Sequence, residues 1–94
     1  MQQDVFVRLY YRSDEGELQD ASQDFDLSSF AGFLPQVGDV ILEPGVYQGL
    51  DRRDYKNRRL LTVVQRFFNP RDTENAVALV VDSAAPTELQ RDIC

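Results

Sequence analysis

The chain has 94 residues, which suffices for one compact domain and leaves no room for a second hydrophobic core. Its hydrophobic fraction of 43%, which includes six phenylalanines and four tyrosines, argues against disorder. The longest apolar run is far too short to span a membrane, and the first residues lack the basic and apolar regions of a signal peptide. The single cysteine, Cys94, cannot form an internal disulfide, which favours a reducing, cytoplasmic setting.

Charge is segregated along the chain. The net charge is −6, yet residues 1–44 hold nine acids and two bases, and residues 45–72 hold three acids and seven bases. Residues 73–94 hold four acids and one base. An acidic chain does not coat nucleic acid through bulk electrostatics. The segregation instead predicts a local basic surface on an acidic protein.

Hydrophobic alternation predicts the first strand. In residues 4–12, β-branched and aromatic side chains recur with period two, which is typical of a strand with one buried face. Residues 13–17 then form a turn in which Gly16 is free to adopt a positive φ. Residues 18–24 are polar and form either a loop or a weak second strand.

The following segment has two interpretations. In residues 24–30, Asp24 or Asp26 is suited to capping a short helical turn, although the apolar residues there also alternate as in a strand. Residues 37–39 read Val-Gly-Asp and predict a turn that leads into a short strand at residues 40–43.

The second half of the chain is richest in strand formers. Residues 46–50 are a candidate for a short edge strand. Residues 58–68 are apolar on both faces, which predicts a strand that is central in its sheet or closed into a barrel. Residues 69–75 predict a hairpin connection to a last strand at residues 76–82. Residues 84–94 form a flexible tail or one short helix.

These elements predict an all-β or β-rich α+β fold. Four or five short strands with turn signals and little helix are typical of a small SH3-like barrel or a five-stranded antiparallel roll. We expect at most one or two short helical turns, and a single domain over residues 1–94. Closure of the sheet would also remove exposed strand edges.

Two segments carry a resemblance to known proteins. The P-x-V-G-D-x-I pattern of a turn and strand at residues 35–41, together with the apolar strand at residues 63–68, resembles short bacterial β-barrel proteins of unknown function. The resemblance implies a barrel that opens with this turn and strand. It implies no function.

The residue types present exclude most catalytic and metal chemistry. Histidine is absent and there is one cysteine, which removes the usual general base, the common nucleophile systems and most zinc sites. The glycines form no phosphate-binding loop. Carboxylates at residues 14–17 and 24–26 lack the spacing of a calcium loop, and solvated turns explain them. We therefore expect no enzyme activity, no cofactor and no metal.

The basic loop, residues 51–59, is the best candidate for a binding surface. It holds five bases and two acids, and arginine forks with an interleaved tyrosine suit phosphate contact and base stacking. The plainer alternative is a solubilising tip in which Asp51 and Asp54 pair with neighbouring arginines. The predicted partner-binding residues are Arg52, Arg53, Tyr55, Lys56, Arg58 and Arg59.

These features predict a non-catalytic module that binds another protein or its own copy. An acidic patch at residues 14–26 of a second copy complements the basic loop, which would give an electrostatically steered homodimer or larger oligomer. Tyr10, Tyr47 and Tyr55 are candidate anchors, since tyrosine and arginine are common at interface hot spots. Two alternatives stay open: the loop contacts nucleic-acid phosphates, or the acidic surface mimics nucleic acid and inhibits a basic partner. No membrane contact is expected.

Overall fold

The computed structural model describes residues 5–46 and 48–93. The chain there is rich in strand, as the sequence predicts, with three short 3-10 turns where at most two are expected. The elements in chain order are β1 (Phe6–Arg12), β2 (Leu18–Asp26), a 3-10 turn (Leu27–Phe30), β3 (Val40–Leu42), a 3-10 turn (Tyr55–Asn57), β4 (Leu60–Asn69), β5 (Thr73–Ala84) and a 3-10 turn (Glu88–Gln90).

The five strands form one mixed sheet that curls into a half-barrel, in the order β2-β1-β5-β4-β3. Three neighbouring pairs are antiparallel, but β1 runs parallel to β5, with Phe6 opposite Ala76 and Tyr11 opposite Val81. The sheet therefore fits the predicted small β-barrel or roll, although the antiparallel pairing expected of the roll is absent at this one pair. A hairpin turn imposes antiparallel pairing, whereas β1 and β5 are joined only through the rest of the fold.

The inner face of the half-barrel holds the hydrophobic core. Alternate residues of β1, β4 and β5 point into it, so the period-two pattern of the first strand is confirmed. β4 is interior, as its two apolar faces predict, but β5 takes the centre of the sheet, and its Val80 is buried outside the main cluster. The core residues are Val7, Leu9, Leu61, Val63, Val77, Leu79 and Val81.

The polar segment at residues 18–24, for which the sequence allows either a loop or a weak strand, is part of strand β2. Pairing with β1 satisfies the backbone of β2, and Arg8 ties the two strands together on the outer face. Its Nη2 donates to Asp20 Oδ2 at 2.6 Å and its Nη1 to Asp24 Oδ1 at 3.2 Å. Asp26 ends the strand and caps the 3-10 turn, since its carboxylate accepts from the backbone N–H of Ser29.

The turn before β3 is present as predicted. Gly38 has a φ of 97°, which glycine adopts at little cost, and its N–H donates to the carbonyl of Val63. Asp39 stabilises this turn by accepting a hydrogen bond from the backbone N–H of Gln36 at 2.8 Å. Tyr47 and Cys94 lie outside the described residues, and residues 46 and 48–50 are not part of a strand.

In the part of the chain that the structure describes, no helix is long and apolar enough to cross a membrane.

Truncating the centre of the core should cost much of the stability. Leu79 is fully buried in the central strand, so Leu79→Ala should lower the free energy of unfolding by about 2–5 kcal/mol, through lost burial and the cavity left behind. Urea denaturation measures the change. Leu89→Ala is the matched control, because Leu89 is 95% exposed and its truncation should leave the stability almost unchanged. Equal losses in the two variants would contradict this placement of the core.

Asp20 should titrate below the usual range of an aspartate. The side-chain hydrogen bonds from Arg8 lower the pKa of Asp20, and the backbone N–H of Ser22 adds to the effect. Because the pKa of Asp20 is lower in the folded chain, its interaction with Arg8 stabilises the fold at pH values above the pKa of the unfolded chain, about 3.9. This stabilisation is lost as the pH falls through the lower pKa of the folded chain.

Carboxyl-carbon NMR titration tests this shift. Arg8→Gln should move the pKa of Asp20 up towards its ordinary value, while Asp26, whose pKa is lowered mainly by a hydrogen bond from Ser28, should keep its own. If the midpoint of Asp20 does not respond to Arg8→Gln, Arg8 is not the cause of the shift.

Candidate binding site at one end of the half-barrel

The strand directions bring two connections to the same end of the half-barrel. β1 and β5 are parallel, so Arg12 and Ala84 lie at one end. β4 is antiparallel to β5 and begins there, with Leu60 opposite Ala84, and β3 ends there, with Leu42 opposite Leu60. The turn from β1 to β2 and the long connection from β3 to β4 therefore meet at this end, which we call the loop end.

The basic loop is held by its own acids. The Asp51 carboxylate accepts from the backbone N–H of Arg53 at 2.9 Å, and that of Asp54 accepts from the N–H of Lys56 at 3.0 Å. Asp54 thereby caps the 3-10 turn that follows it. Within residues 5–46 and 48–93, neither acid forms an ion pair with an arginine. The acids order the backbone and leave the loop's cations unneutralised.

Arg58 is the exception among the loop's bases, because it is buried with only 9% of its surface exposed. Its Nη2 donates to the backbone carbonyl of Glu43 at 3.2 Å, and its Nη1 reaches the carbonyl of Arg52 at 3.4 Å. The buried Nε has no hydrogen-bond partner in the described part of the chain. Arg58 thus ties the two ends of the basic loop to each other and to the segment that follows β3.

A cleft of about 870 Å³ opens beside the basic loop at the loop end. Lys56 and Arg59 lie along it, and Arg59 Nε donates to Ser83 Oγ at 2.9 Å, which orients its guanidinium. Tyr11, which also lines the cleft, donates a hydrogen bond from its hydroxyl to the carboxylate of Glu43. The cleft is lined by Tyr11, Gln19, Glu43, Gly45, Val46, Leu50, Lys56, Asn57, Arg59 and Ser83.

The acidic turn, residues 13–17, also lies at the loop end. Its backbone is closed by hydrogen bonds from Gly16 to the carbonyl of Ser13 and from Ser13 to that of Glu17. Asp14, Glu15 and Glu17 are exposed, and no ion pair engages their carboxylates in the described residues. The loop end therefore carries unpaired acids and unpaired bases on two different connections.

In β1, by contrast, both arginines pair with acids of neighbouring strands. Arg8 pairs with Asp20 and Asp24 on the outer face. Arg12 pairs with Asp82 through an Nη2–Oδ2 contact of 2.5 Å. These pairs are more than two-fifths exposed, so each contributes little to stability, but they remove charge from the strands. The β1 arginines are therefore less available to a partner than the unpaired bases of the basic loop.

The structure brings most of the predicted binding residues together and separates one. Arg52, Arg53 and Lys56 are exposed, and Tyr55 is half-buried at the start of the 3-10 turn. Arg59 is half-buried along the cleft, while Arg58 points into the protein. Of the other tyrosines proposed as anchors, Tyr10 is half-buried in the sheet, and Tyr47 lies outside the described residues.

Sequence reasoning missed the strand residues that complete the cleft. Tyr11, Gln19, Glu43 and Ser83 come from the ends of four different segments, and no local pattern groups them. The one available signal is the alternation in β1, which places Tyr11 on the same face as Val7 and Leu9.

A second cleft, of about 610 Å³, lies between β3 and the 3-10 turn after β2. It is mainly apolar, and Phe25 and Phe30 meet there edge to face at 5.5 Å. Its charged residue, Asp39, already accepts the backbone N–H of Gln36. Among the described residues, no group of three or more potential ligands could hold a metal ion.

No protein-family model matches the chain, and neither a curated protein nor a solved structure matches it.

Replacing Arg58 should loosen the basic loop. Arg58→Met retains an apolar stem but removes both hydrogen bonds to backbone carbonyls, so we expect a loss of about 1–3 kcal/mol in the free energy of unfolding. Amide hydrogen exchange should also accelerate at Asn57, which is bonded within the loop. Arg53→Met is the control, since Arg53 is exposed and its loss should change neither quantity. The same loss of stability in both variants would mean that Arg58 does not anchor the loop.

Proposed function

We propose that this chain is a non-catalytic binding module that uses its basic loop to recognise an acidic surface, on another protein or on its own copy. One observation carries the proposal. Among the described residues, Arg52, Arg53, Lys56 and Arg59 form no ion pair, whereas the arginines of β1 are fully engaged with carboxylates. A binding partner that supplies acids would provide the missing charge-assisted hydrogen bonds.

The ordering of the loop supports the same function. Asp51, Asp54 and Arg58 hold its backbone in place before any partner arrives. A preordered loop loses less conformational entropy on association, so more of the interaction energy contributes to affinity. We assign Arg58 a positioning role within the predicted binding set, while Arg52, Arg53, Lys56 and Arg59 contact the partner. Tyr55 adds aromatic contact area beside them.

A discrete acidic segment fits the loop end better than an extended nucleic acid. The unpaired acids of the acidic turn lie at the same end as the basic loop and would repel a long polyanion. Acidic mimicry of nucleic acid has less support, because Arg8 neutralises Asp20 and Asp24 on β2. A cytoplasmic location, which the single cysteine favours, completes the proposal.

Reversing two loop charges should abolish most of the binding. We compare Arg52→Glu/Arg53→Glu with Arg66→Glu/Arg71→Glu, which makes the same charge change on β4 and the β4–β5 hairpin at the opposite end. Fluorescence polarisation with a labelled oligoglutamate peptide should give a dissociation constant about tenfold higher or more for the loop variant, and a much smaller change for the control.

A labelled single-stranded oligonucleotide serves as the second probe. Steeply salt-dependent binding of the oligonucleotide without binding of the peptide would replace the proposal with phosphate recognition by the same loop. If neither probe binds the parent chain, or if the loop variant binds the peptide as well as the parent does, the basic loop is only a solubilising tip.

A further inference from the structure

The acidic turn and the basic loop lie at the same end of the half-barrel, and this arrangement selects a partner. We propose that two copies of the chain associate end to end about a two-fold axis, with the acidic turn of each copy against the basic loop of the other. The inference rests on the proposed function of the basic loop and identifies the acidic surface that it recognises.

Neither the acids of the acidic turn nor the exposed bases of the basic loop are paired within one chain. Among the described residues, no ion pair joins Glu15 or Glu17 to Arg52, Arg53 or Lys56. Acids and bases that are unpaired within one chain are able to pair between two chains.

Two-fold symmetry opposes these two sets of charges. A two-fold rotation reverses the left and right of an interface, so it places the acidic turn of one copy opposite the basic loop of the other, and the reverse contact forms at the same time. Each complementary contact therefore occurs twice. Had the two connections been at opposite ends of the half-barrel, an end-to-end contact between the same charges would be head-to-tail, which generates rings or open filaments rather than a two-fold dimer.

The loop end also exposes apolar side chains. Leu18, the first residue of β2, is 52% exposed beside the acidic turn, and Leu50, which lines the cleft, is 46% exposed. An interface with apolar residues among paired charges has the composition of many specific protein contacts. These two leucines gain burial in the end-to-end arrangement.

The net charge of −6 opposes self-association at long range. At physiological ionic strength, interactions between exposed charges are screened beyond about 8 Å, so the repulsion between distant surfaces is weak. Directly opposed acids and bases at the loop end remain within that distance. The predicted dimer therefore forms at moderate salt and weakens as salt rises further.

Charge-swapped variants test the arrangement. Sedimentation equilibrium of the full chain should show a monomer–dimer equilibrium that does not proceed to larger species. Two variants should each raise the dimer dissociation constant about tenfold or more: Arg52→Glu/Arg53→Glu and Glu15→Lys/Glu17→Lys. Each of them places like charges against each other at both symmetric contacts of the dimer. The equimolar mixture of these two variants should regain a dimer, since every contact between them again joins opposite charges.

Two control variants reverse the same numbers of charges at the far end of the sheet: Arg66→Glu/Arg71→Glu and Asp72→Lys/Glu74→Lys. Both should dimerise like the parent chain. A parent chain that stays monomeric, assemblies that grow beyond the dimer, or a mixture that stays monomeric would each overturn the two-fold arrangement. Retained binding of the oligoglutamate peptide would then show that the basic loop still recognises acids, so that only the identity of the partner is wrong.

Discussion

The parallel pairing of β1 with β5 is the constraint on which the rest of the structure depends. β5 is the central strand, and both β1 and β4 pair with it, so its direction determines theirs. Because β1 runs alongside β5 and β4 runs against it, the end of β1 and the start of β4 lie at one end of the sheet. The connections that follow β1 and precede β4 must then share that end, whatever their own sequences are. The loop end is thus a consequence of the sheet topology.

The same topology explains why charge is distributed unevenly over the molecule. Arg8 and Arg12 point outward from an interior strand with neighbours on both sides, so each finds acids on an adjacent strand: Arg8 on β2 and Arg12 on β5. A side chain in a connection has no neighbouring strand beside it. The carboxylates of Asp51 and Asp54 are used to order backbone N–H groups, which leaves the surrounding cations without partners. Neutralisation of the β1 arginines and display of the loop cations are thus found in different parts of one fold.

Features encoded by neighbouring residues could be predicted from the sequence, and features encoded by distant pairing could not. The alternation of β1, the turn at Gly16 and the Val-Gly-Asp turn before β3 depend on local patterns, and each is present. The direction of β1 relative to β5 depends on contacts between residues 70 positions apart in sequence, such as Phe6 and Ala76, for which no local signal exists. β2 could not be assigned because its polar residues become a strand through pairing with β1 rather than through their own propensity. The burial of Arg58 was hidden for a related reason, since an arginine in a charged run is expected to be exposed.

The segregation of charge in the sequence changes its meaning once the chain is folded. Along the chain, residues 1–44 are acidic and residues 45–72 are basic, which suggests two distant surfaces. In the fold, Asp20 and Asp24 are paired with Arg8 of β1, so the acids of the first segment that remain available near its hairpin are those of the acidic turn. The sheet then places this turn at the same end as the basic loop. Charges that are separated by some forty residues in sequence thus come to one end of the sheet, and it is this shared end that the proposed two-fold arrangement uses.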